Sequence, residues 1–156
     1  ISRAYAIAPN LIGQQAPPLE MQDSSAKPLS LYSTKAKFTV LVFWDPTCGH
    51  CKTEIPRLDS AFKASWQRKG VVMLGVRTDG TREEWLQFIK QHQLSGWIHA
   101  WDPQSQSNYR RLYDVYSTPV VYLLDEKKKI VAKRLGVEQL NGFLERLEND
   151  TAAVTK

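Results

Sequence analysis

Cysteine is scarce in this chain. Two cysteines occur among 156 residues, and both lie in one short segment, Cys48-Gly49-His50-Cys51. No further cysteine remains for a second pair, which excludes a small domain held together by several disulfides. A disulfide across two intervening residues removes little entropy from the unfolded chain, because the ring that it closes is small. The pair is therefore better suited to reversible thiol chemistry than to structural cross-linking.

Long apolar runs are missing as well. No stretch approaches the roughly 18 apolar residues that cross a membrane as a helix. The first residues also lack the basic and apolar regions of a secretion signal. Since the chain begins at Ile1 rather than at Met, we expect it to be a mature fragment, or a domain of a longer precursor.

Nucleic-acid and metal sites are not indicated either. The formal net charge is +5, but the densest basic run, Lys127–Lys129, follows Asp125-Glu126 between two apolar runs, which predicts a solvated hairpin turn. Structural zinc needs four ligands, whereas His92 and His99 fall on predicted elements away from the cysteines. We therefore expect no nucleic-acid partner, no metal and no other cofactor.

Predicted strands alternate with predicted helices along the chain. Phe38–Trp44 and Val71–Arg77 are almost continuously apolar, as expected of strands covered on both faces. Thr81 and Glu84 form a capping-box pattern at the start of a helix. Further predicted elements are short extended segments at Leu19–Gln22 and Leu29–Tyr32, a helix from the cysteines to about Gln67, a strand at Trp97–Trp101, a helix around Tyr109–Tyr116 capped by Ser105 or Ser107, a hairpin of Val120–Leu124 and Ile130–Arg134, and a terminal helix through Leu147. This order predicts an α/β fold with a central mixed β-sheet flanked by helices.

The cysteine segment follows the first buried strand and opens a helix, a placement typical of thiol redox sites. If Cys48 lies at the first turn, the backbone N–H groups and the helix dipole stabilise its thiolate, which is the nucleophile of thiol–disulfide exchange. Cys51, one turn further along, then acts as the resolving thiol. His50 can add positive charge near the Cys48 sulfur and make the disulfide easier to reduce; the alternative is a solvent-facing residue that does little.

Four features, in order, resemble one branch of a known superfamily. They are Gly13-x-x-Ala16-Pro17, Phe43-Trp44-x-x-x-Cys48-x-x-Cys51, Pro56 five residues after the second cysteine, and Thr118-Pro119 before an apolar strand. Together they make the chain similar to the thioredoxin superfamily, and within it to the TlpA/ResA-like, AhpC/TSA-related thiol–disulfide oxidoreductases of bacterial envelopes.

The resemblance implies a thioredoxin fold with an N-terminal extension. Residues 1–11 would form an arm or linker, residues 12–150 the thioredoxin-like domain, and residues 151–156 a frayed tail. It also implies a monomer that exchanges a Cys48–Cys51 disulfide with protein thiols and disulfides, as a reductase or isomerase rather than a strong oxidant. A membrane or thioredoxin-like protein would supply electrons, and the location would be the bacterial envelope, in the periplasm.

Roles for further residues follow from the same resemblance. Thr118 and a cis-Pro119 would pair with an extended substrate beside Cys48, and Trp44 would belong to the substrate-binding residues. Ordinary thioredoxins carry a buried Asp where this chain has Val42, whereas Glu54 matches the acidic residue of ResA-like proteins. Glu54 lies one helical turn from Cys51 and could exchange its proton; the alternative is an exposed helix residue.

Two smaller points complete the predictions for the site. Thr47 takes the place of the Trp that precedes the first cysteine in thioredoxins, and we expect it to be the helix N-cap. A thiol peroxidase of the same fold would need Pro and Thr or Ser where the chain has Leu41 and Asp45, so that function is disfavoured. A domain that binds a client or partner with little turnover stays open.

Overall fold

The structure is a computed structural model that describes residues 12–155, and the side chains of residues 12–147. The predicted arm at residues 1–11 lies outside this range. The strands are β1 (Glu20–Gln22), β2 (Pro28–Ser30), β3 (Phe38–Trp44), β4 (Val71–Arg77), β5 (Ile98–Trp101), β6 (Val120–Leu124) and β7 (Ile130–Lys133). The α-helices are α1 (Gly49–Ala64), α2 (Arg82–Gln91), α3 (Tyr109–Leu112) and α4 (Val137–Thr155). Because α4 runs to Thr155, it includes most of the residues assigned to a tail from the sequence; the domain boundaries stay a prediction.

The described strands form one mixed sheet in the order β2-β1-β5-β4-β3-β6-β7. Strand β3 lies inside it, parallel to β4 and antiparallel to β6. All seven of its residues are buried, as expected of an apolar strand that is covered on both faces. The prediction of an α/β fold around a central mixed sheet is confirmed.

Helices cover both faces of this sheet. The crossovers from β3 through α1 to β4, and from β4 through α2 to β5, run in the same direction, so right-handed connections place both helices on one face. There they share a core with α4, which includes Ile55, Trp85 and Leu140. The other face is covered by α3 and the segment before β3, around Leu19 and Tyr113. Within the described residues, no helix is long and apolar enough to cross a membrane.

Most predicted elements are present, and the capping box is one of them. The Thr81 hydroxyl accepts from the Glu84 N–H, and the Glu84 carboxylate accepts from the Thr81 N–H. The helix after the cysteines ends earlier than predicted, at Ala64, and a 3₁₀ helix follows at Trp66–Lys69. Gly70 ends that turn at a φ of 82°, a left-handed conformation that glycine adopts without steric cost.

Two local predictions were wrong. The second short segment forms a strand only to Ser30, and a 3₁₀ helix takes its remaining residues, Leu31–Ser33. The cap of α3 is Asn108, at a φ of 49°, rather than Ser105 or Ser107. The Ser107 hydroxyl hydrogen-bonds the backbone of Glu20 instead, which joins this loop to β1.

The basic hairpin turn is less solvated than predicted. The Asp125 carboxylate accepts N–H groups from Lys127 and Lys129, whose side chains point to solvent. Lys128 has a φ of 66° and is only 3% exposed. The correction follows from backbone geometry, because the left-handed residue between the two solvated lysines turns its side chain onto the protein.

Candidate active site

The loop after β3 positions the first cysteine through Asp45. The Asp45 carboxylate accepts from the N–H of Thr47 at 2.8 Å and from its hydroxyl at 2.7 Å. The Asp45 carbonyl accepts from the Cys48 N–H at 3.0 Å. Thr47 is therefore not the helix cap, as predicted, because its hydroxyl is already bound; Cys48 itself is the N-cap residue of α1. Sequence reasoning missed Asp45, although an Asp two residues before a Thr is a signal of such a turn.

Cys48 is half-buried at the start of α1. Its thiol lies 3.4 Å from the carbonyl oxygen of Thr118, to which it donates. Burial acts to raise the pKa of Cys48, but hydrogen bonds from the Thr118 side chain, from the backbone and side chain of Cys51 and from the His50 backbone outweigh it, so the pKa lies below its ordinary value of 9.0. The first cysteine is therefore the one that more readily forms a thiolate.

Cys51 lies one turn further along and is completely buried. Burial, with a smaller contribution from the neighbouring Cys48 sulfur, raises its pKa to about 12. The Asp45 N–H points at its sulfur at 3.5 Å, and this contact opposes the shift only in part. The two sulfurs thus differ in both access and acidity, with Cys48 favoured as the thiolate in each respect.

The chain returns to the cysteines at the start of β6. The peptide bond between Thr118 and Pro119 is cis, and both residues are half-buried. Residue Val120 pairs with Phe43 in the β3–β6 ladder. This register brings the carboxyl end of β3, from which the cysteine loop leaves, beside the amino end of β6.

His50 and Glu54 lie near the cysteines in different ways. The His50 side chain is exposed, and within the described part of the chain its imidazole makes no hydrogen bond, whereas its backbone N–H stabilises the Cys48 thiolate. Glu54 is 29% exposed and forms an ion pair with Arg57 at 3.0 Å. Its carboxylate is not hydrogen-bonded to Cys51 among the described residues; it lines a cavity of about 220 Å³ together with Pro119.

Trp44 lies beneath the site rather than on its surface. Its side chain is completely buried and packs on Phe88 at a ring distance of 4.9 Å. Its ring is therefore not at the surface beside Cys48, and its assignment as a substrate-binding residue stays a prediction. The reason for the burial is the period of the strand, which turns Trp44 toward the core with Val40 and Val42.

Val42 lies in that core, so the position that holds a buried Asp in ordinary thioredoxins is apolar here. Within residues 12–147, no group of three or more His, Cys, Asp or Glu side chains could hold a metal ion. The chemistry that this geometry allows is that of two neighbouring thiols, one accessible and one buried.

Comparison with known proteins places these features in a family. The model of the AhpC/TSA family matches residues 12–133. The thiol-disulfide oxidoreductase ResA of Oceanobacillus iheyensis is 26% identical over 140 residues, covering 85% of this chain and 71% of the relative. The thioredoxin-like protein YneN of Bacillus subtilis is 27% identical over 139 residues, covering 88% of this chain and 79% of the relative.

Solved structures agree with this placement. A domain of a possible thiol-disulfide isomerase from Cytophaga hutchinsonii superposes with a TM-score of 0.85 and 38% identity, and the match covers 94% of this chain and 99% of that one. The described residues therefore adopt a thioredoxin-like fold. With the family model spanning well over half of its length, the chain belongs to the AhpC/TSA family.

Proposed function

We propose that this protein is a thiol–disulfide oxidoreductase that exchanges a Cys48–Cys51 disulfide or dithiol with protein substrates. The observation that carries the proposal is the contrast between the two thiols. Cys48 is accessible and its pKa is lowered, whereas Cys51 is buried with a pKa of about 12. The names of the ResA relatives and of the Cytophaga domain support the same reaction class.

The reaction of the reduced protein takes place in two displacements. The Cys48 thiolate attacks one sulfur of the substrate disulfide, the substrate S–S bond breaks, and its second sulfur leaves as a thiolate. Cys51 then loses its proton and attacks the Cys48 sulfur, which releases the other substrate thiolate. Two electrons pass from the protein dithiol to the substrate, and a Cys48–Cys51 disulfide remains. Oxidation of a client uses the same steps in reverse. Isomerisation of a client breaks one disulfide by the forward steps and forms another by the reverse steps.

The second displacement requires a proton acceptor because the pKa of Cys51 is so high. Glu54 is our candidate, since it lies one helical turn from Cys51 and lines the cavity beside Pro119. Its carboxylate forms an ion pair with Arg57 at 3.0 Å.

The substrate would lie along the loop before β6. The Thr118 carbonyl is 3.4 Å from the Cys48 sulfur, so an extended peptide that pairs with this backbone places its own sulfur near the nucleophile. Pro119 supports this role because it has no N–H to occupy the same edge. Thr118 and Pro119 are therefore our proposed substrate-binding residues.

The direction, location and partners are further parts of the proposal. The exposed imidazole of His50 would stabilise the thiolate through charge, giving a potential above that of cytosolic thioredoxin, and a reductase or isomerase rather than a strong oxidant. The resemblance to envelope oxidoreductases supports a periplasmic monomer that receives electrons from a membrane or thioredoxin-like donor. Fusion of the full-length gene product to a reporter that is active only outside the cytoplasm tests the location.

Insulin reduction tests the reaction itself. We expect the reduced protein to cleave insulin disulfides, Cys48→Ser to abolish this activity, and Cys51→Ser to accumulate a mixed disulfide through Cys48. Hydrogen peroxide offered as the alternative oxidant should be reduced far more slowly. A Cys48→Ser protein that is folded and as active as the wild type would contradict the proposal, and a faster reaction with peroxide would favour a peroxidase.

A further inference from the structure

A buried arginine that has no carboxylate partner among the described residues lies at the same edge of the sheet as the cysteines. Arg77 ends β4 and is 6% exposed. Its guanidinium carbon lies over two indole rings, 4.8 Å from the centre of Trp85 and 4.5 Å from that of Trp101. The guanidinium thus packs against two aromatic rings, and its N–H donors lie at the edge of its plane.

The donors on that edge are incompletely satisfied. One terminal nitrogen, Nη1, donates to the carbonyl of Gly80 at 2.5 Å. The Nε atom is buried and has no hydrogen-bond partner, and among the described residues no carboxylate lies within ion-pair distance of Arg77. Burial lowers the pKa of Arg77, and charges on Asp45, Asp79 and Glu83 act at longer range in the opposite direction. A buried charge in this condition carries a desolvation cost that a bound anion would offset.

Arg77 lines a cleft that could admit such an anion. The cleft has a volume of about 200 Å³, and Trp101, Pro103 and Tyr109 give it an apolar wall. Arg110 lies at its rim, where it is paired with Asp79 at 3.1 Å. Asp102 also lines the cleft, but its carboxylate accepts the N–H groups of Gln106 and Ser107.

These features select a single carboxylate on a short apolar stem. A planar carboxylate matches the planar donor edge of a guanidinium, and the methylenes of a glutamate side chain match the aromatic wall. The acidic groups near the cleft disfavour a more highly charged anion such as phosphate. We propose that this cleft binds an acidic side chain of the polypeptide client, so that it selects which disulfides reach Cys48.

The spacing follows from the sheet. Arg77 pairs with Trp44 of β3 on one side and with Trp101 of β5 on the other, whereas Cys48 contacts Thr118 on the β6 side of β3. Two strand spacings separate the two places, about 10 Å, which an extended peptide covers in about three residues. The preferred client would therefore carry Glu about three residues from its reactive cysteine. This specificity rests on the proposed exchange reaction at Cys48.

Binding can be tested without activity. The Nε–H resonance of Arg77 in the ¹⁵N-labelled wild type should shift and saturate on titration with N-acetyl-glutamate N-methylamide, and should not move with the glutamine analogue. Succinate is the third probe. A response to succinate alone would mean that the cleft takes free small carboxylates and would overturn the client assignment, and no response to any probe would overturn the site.

Kinetics tests the selection. Two peptide disulfides that differ only in Glu or Gln three residues from the cysteine should differ about tenfold in kcat/KM with the wild type, as expected of one charge-assisted contact. Arg77→Met should lose this preference at an unchanged rate on the Gln peptide, while Arg111→Met, which removes an exposed neighbouring charge outside the cleft, should keep it.

Equal rates for both peptides with the wild type would overturn the proposal, even if Arg77→Met fails to fold. Failure of the Gln peptide to react at all would instead count against the exchange reaction, and the titration of Arg77 would still decide the cleft.

Discussion

At the scale of single residues, the pKa values of the two cysteines are shifted in opposite directions. Because hydrogen bonding lowers the pKa of Cys48 and burial raises that of Cys51 to about 12, we expect iodoacetamide to label Cys48 alone at neutral pH. The labelling rate should rise with pH and then level off, since the thiolate is the reacting species. The midpoint of this rise should lie below pH 9. Peptide mapping by mass spectrometry measures this profile. Preferential labelling of Cys51 would reverse the assigned roles.

Glu54 offers a second test at this scale. Glu54→Gln removes the proposed proton acceptor, so the mixed disulfide formed by Cys48 should persist about tenfold longer or more, while its formation is unchanged. Stopped-flow kinetics with a fluorescent disulfide separates the two steps. Glu138→Gln is the matched control, because Glu138 binds the same Arg57 at 2.5 Å but lies on α4, whereas Glu54 lies on α1 with Cys51. Equal lifetimes in both variants would assign Glu54 to the surface ion pair alone.

A third test concerns His50, whose imidazole is exposed and not hydrogen-bonded within the described chain. Its influence on Cys48 acts through solvent, so His50→Ala should lower the reduction potential by roughly 30 mV or less, where 30 mV corresponds to about 1.4 kcal/mol. Equilibration with glutathione buffers measures this potential. An unchanged value would leave only the backbone N–H of His50 with a role at the site.

Residue roles were the part of the site least accessible from sequence. The spacing and placement of the cysteines pointed to Cys48 and Cys51, and the family resemblance pointed to the Thr118-Pro119 step, which the structure places beside Cys48. Sequence reasoning failed for Thr47, since a hydroxyl next to a helix start can cap the helix or bind a nearby carboxylate, and only the loop geometry decides between these. It also did not show that the Trp44 side chain is buried, because an aromatic residue before a motif can point either way until its strand register is known.

At the scale of elements, the start of α2 can be tested in isolation from the site. Thr81→Ala removes a side-chain cap and one half of the reciprocal capping box, and should lower the free energy of unfolding by about 1 kcal/mol. Thermal unfolding should then shift by a few degrees. Thr53→Ala, at an exposed position inside α1, is the control and should be neutral or slightly stabilising because alanine favours helix interiors. Insulin reduction should be unaffected by either change.

Elements were easier to predict than their ends. Apolar runs such as Val71–Arg77 gave the strand bounds directly, because a buried parallel strand requires apolar residues on both faces. The ends of α1 and α3 were not predicted, since Ser65 and Asn108 are set by packing and by left-handed backbone rather than by a local pattern. Periodicity also gave no indication that the helix around Tyr109 is only four residues long.

At the scale of the whole molecule, the buried thiol links redox state to stability in alkali. The pKa of Cys51 is about 12 in the folded protein, above the ordinary value of 9.0. The neutral thiol therefore stabilises the reduced fold fully below pH 9, and this stabilisation is lost as the pH rises from 9 toward 12. Urea unfolding of the reduced wild type should show this decline. Cys51→Ala should show a shallower one, because the remaining loss comes from other groups such as the buried Tyr113, whose pKa is also raised.

The pairing of β3 with β6 has a consequence for how this fold can diversify. The cysteine loop and the Thr118-Pro119 step both adjoin the antiparallel pair of β3 and β6, in which Phe43 lies opposite Val120. The cleft around Arg77 lies at the ends of the neighbouring strands β4 and β5. Chemistry and client choice are thus carried by separate modules. A chimera that receives residues 77–110, which include the lining of the cleft, from a relative should acquire the donor's client preference while it retains the pKa values of its own cysteines.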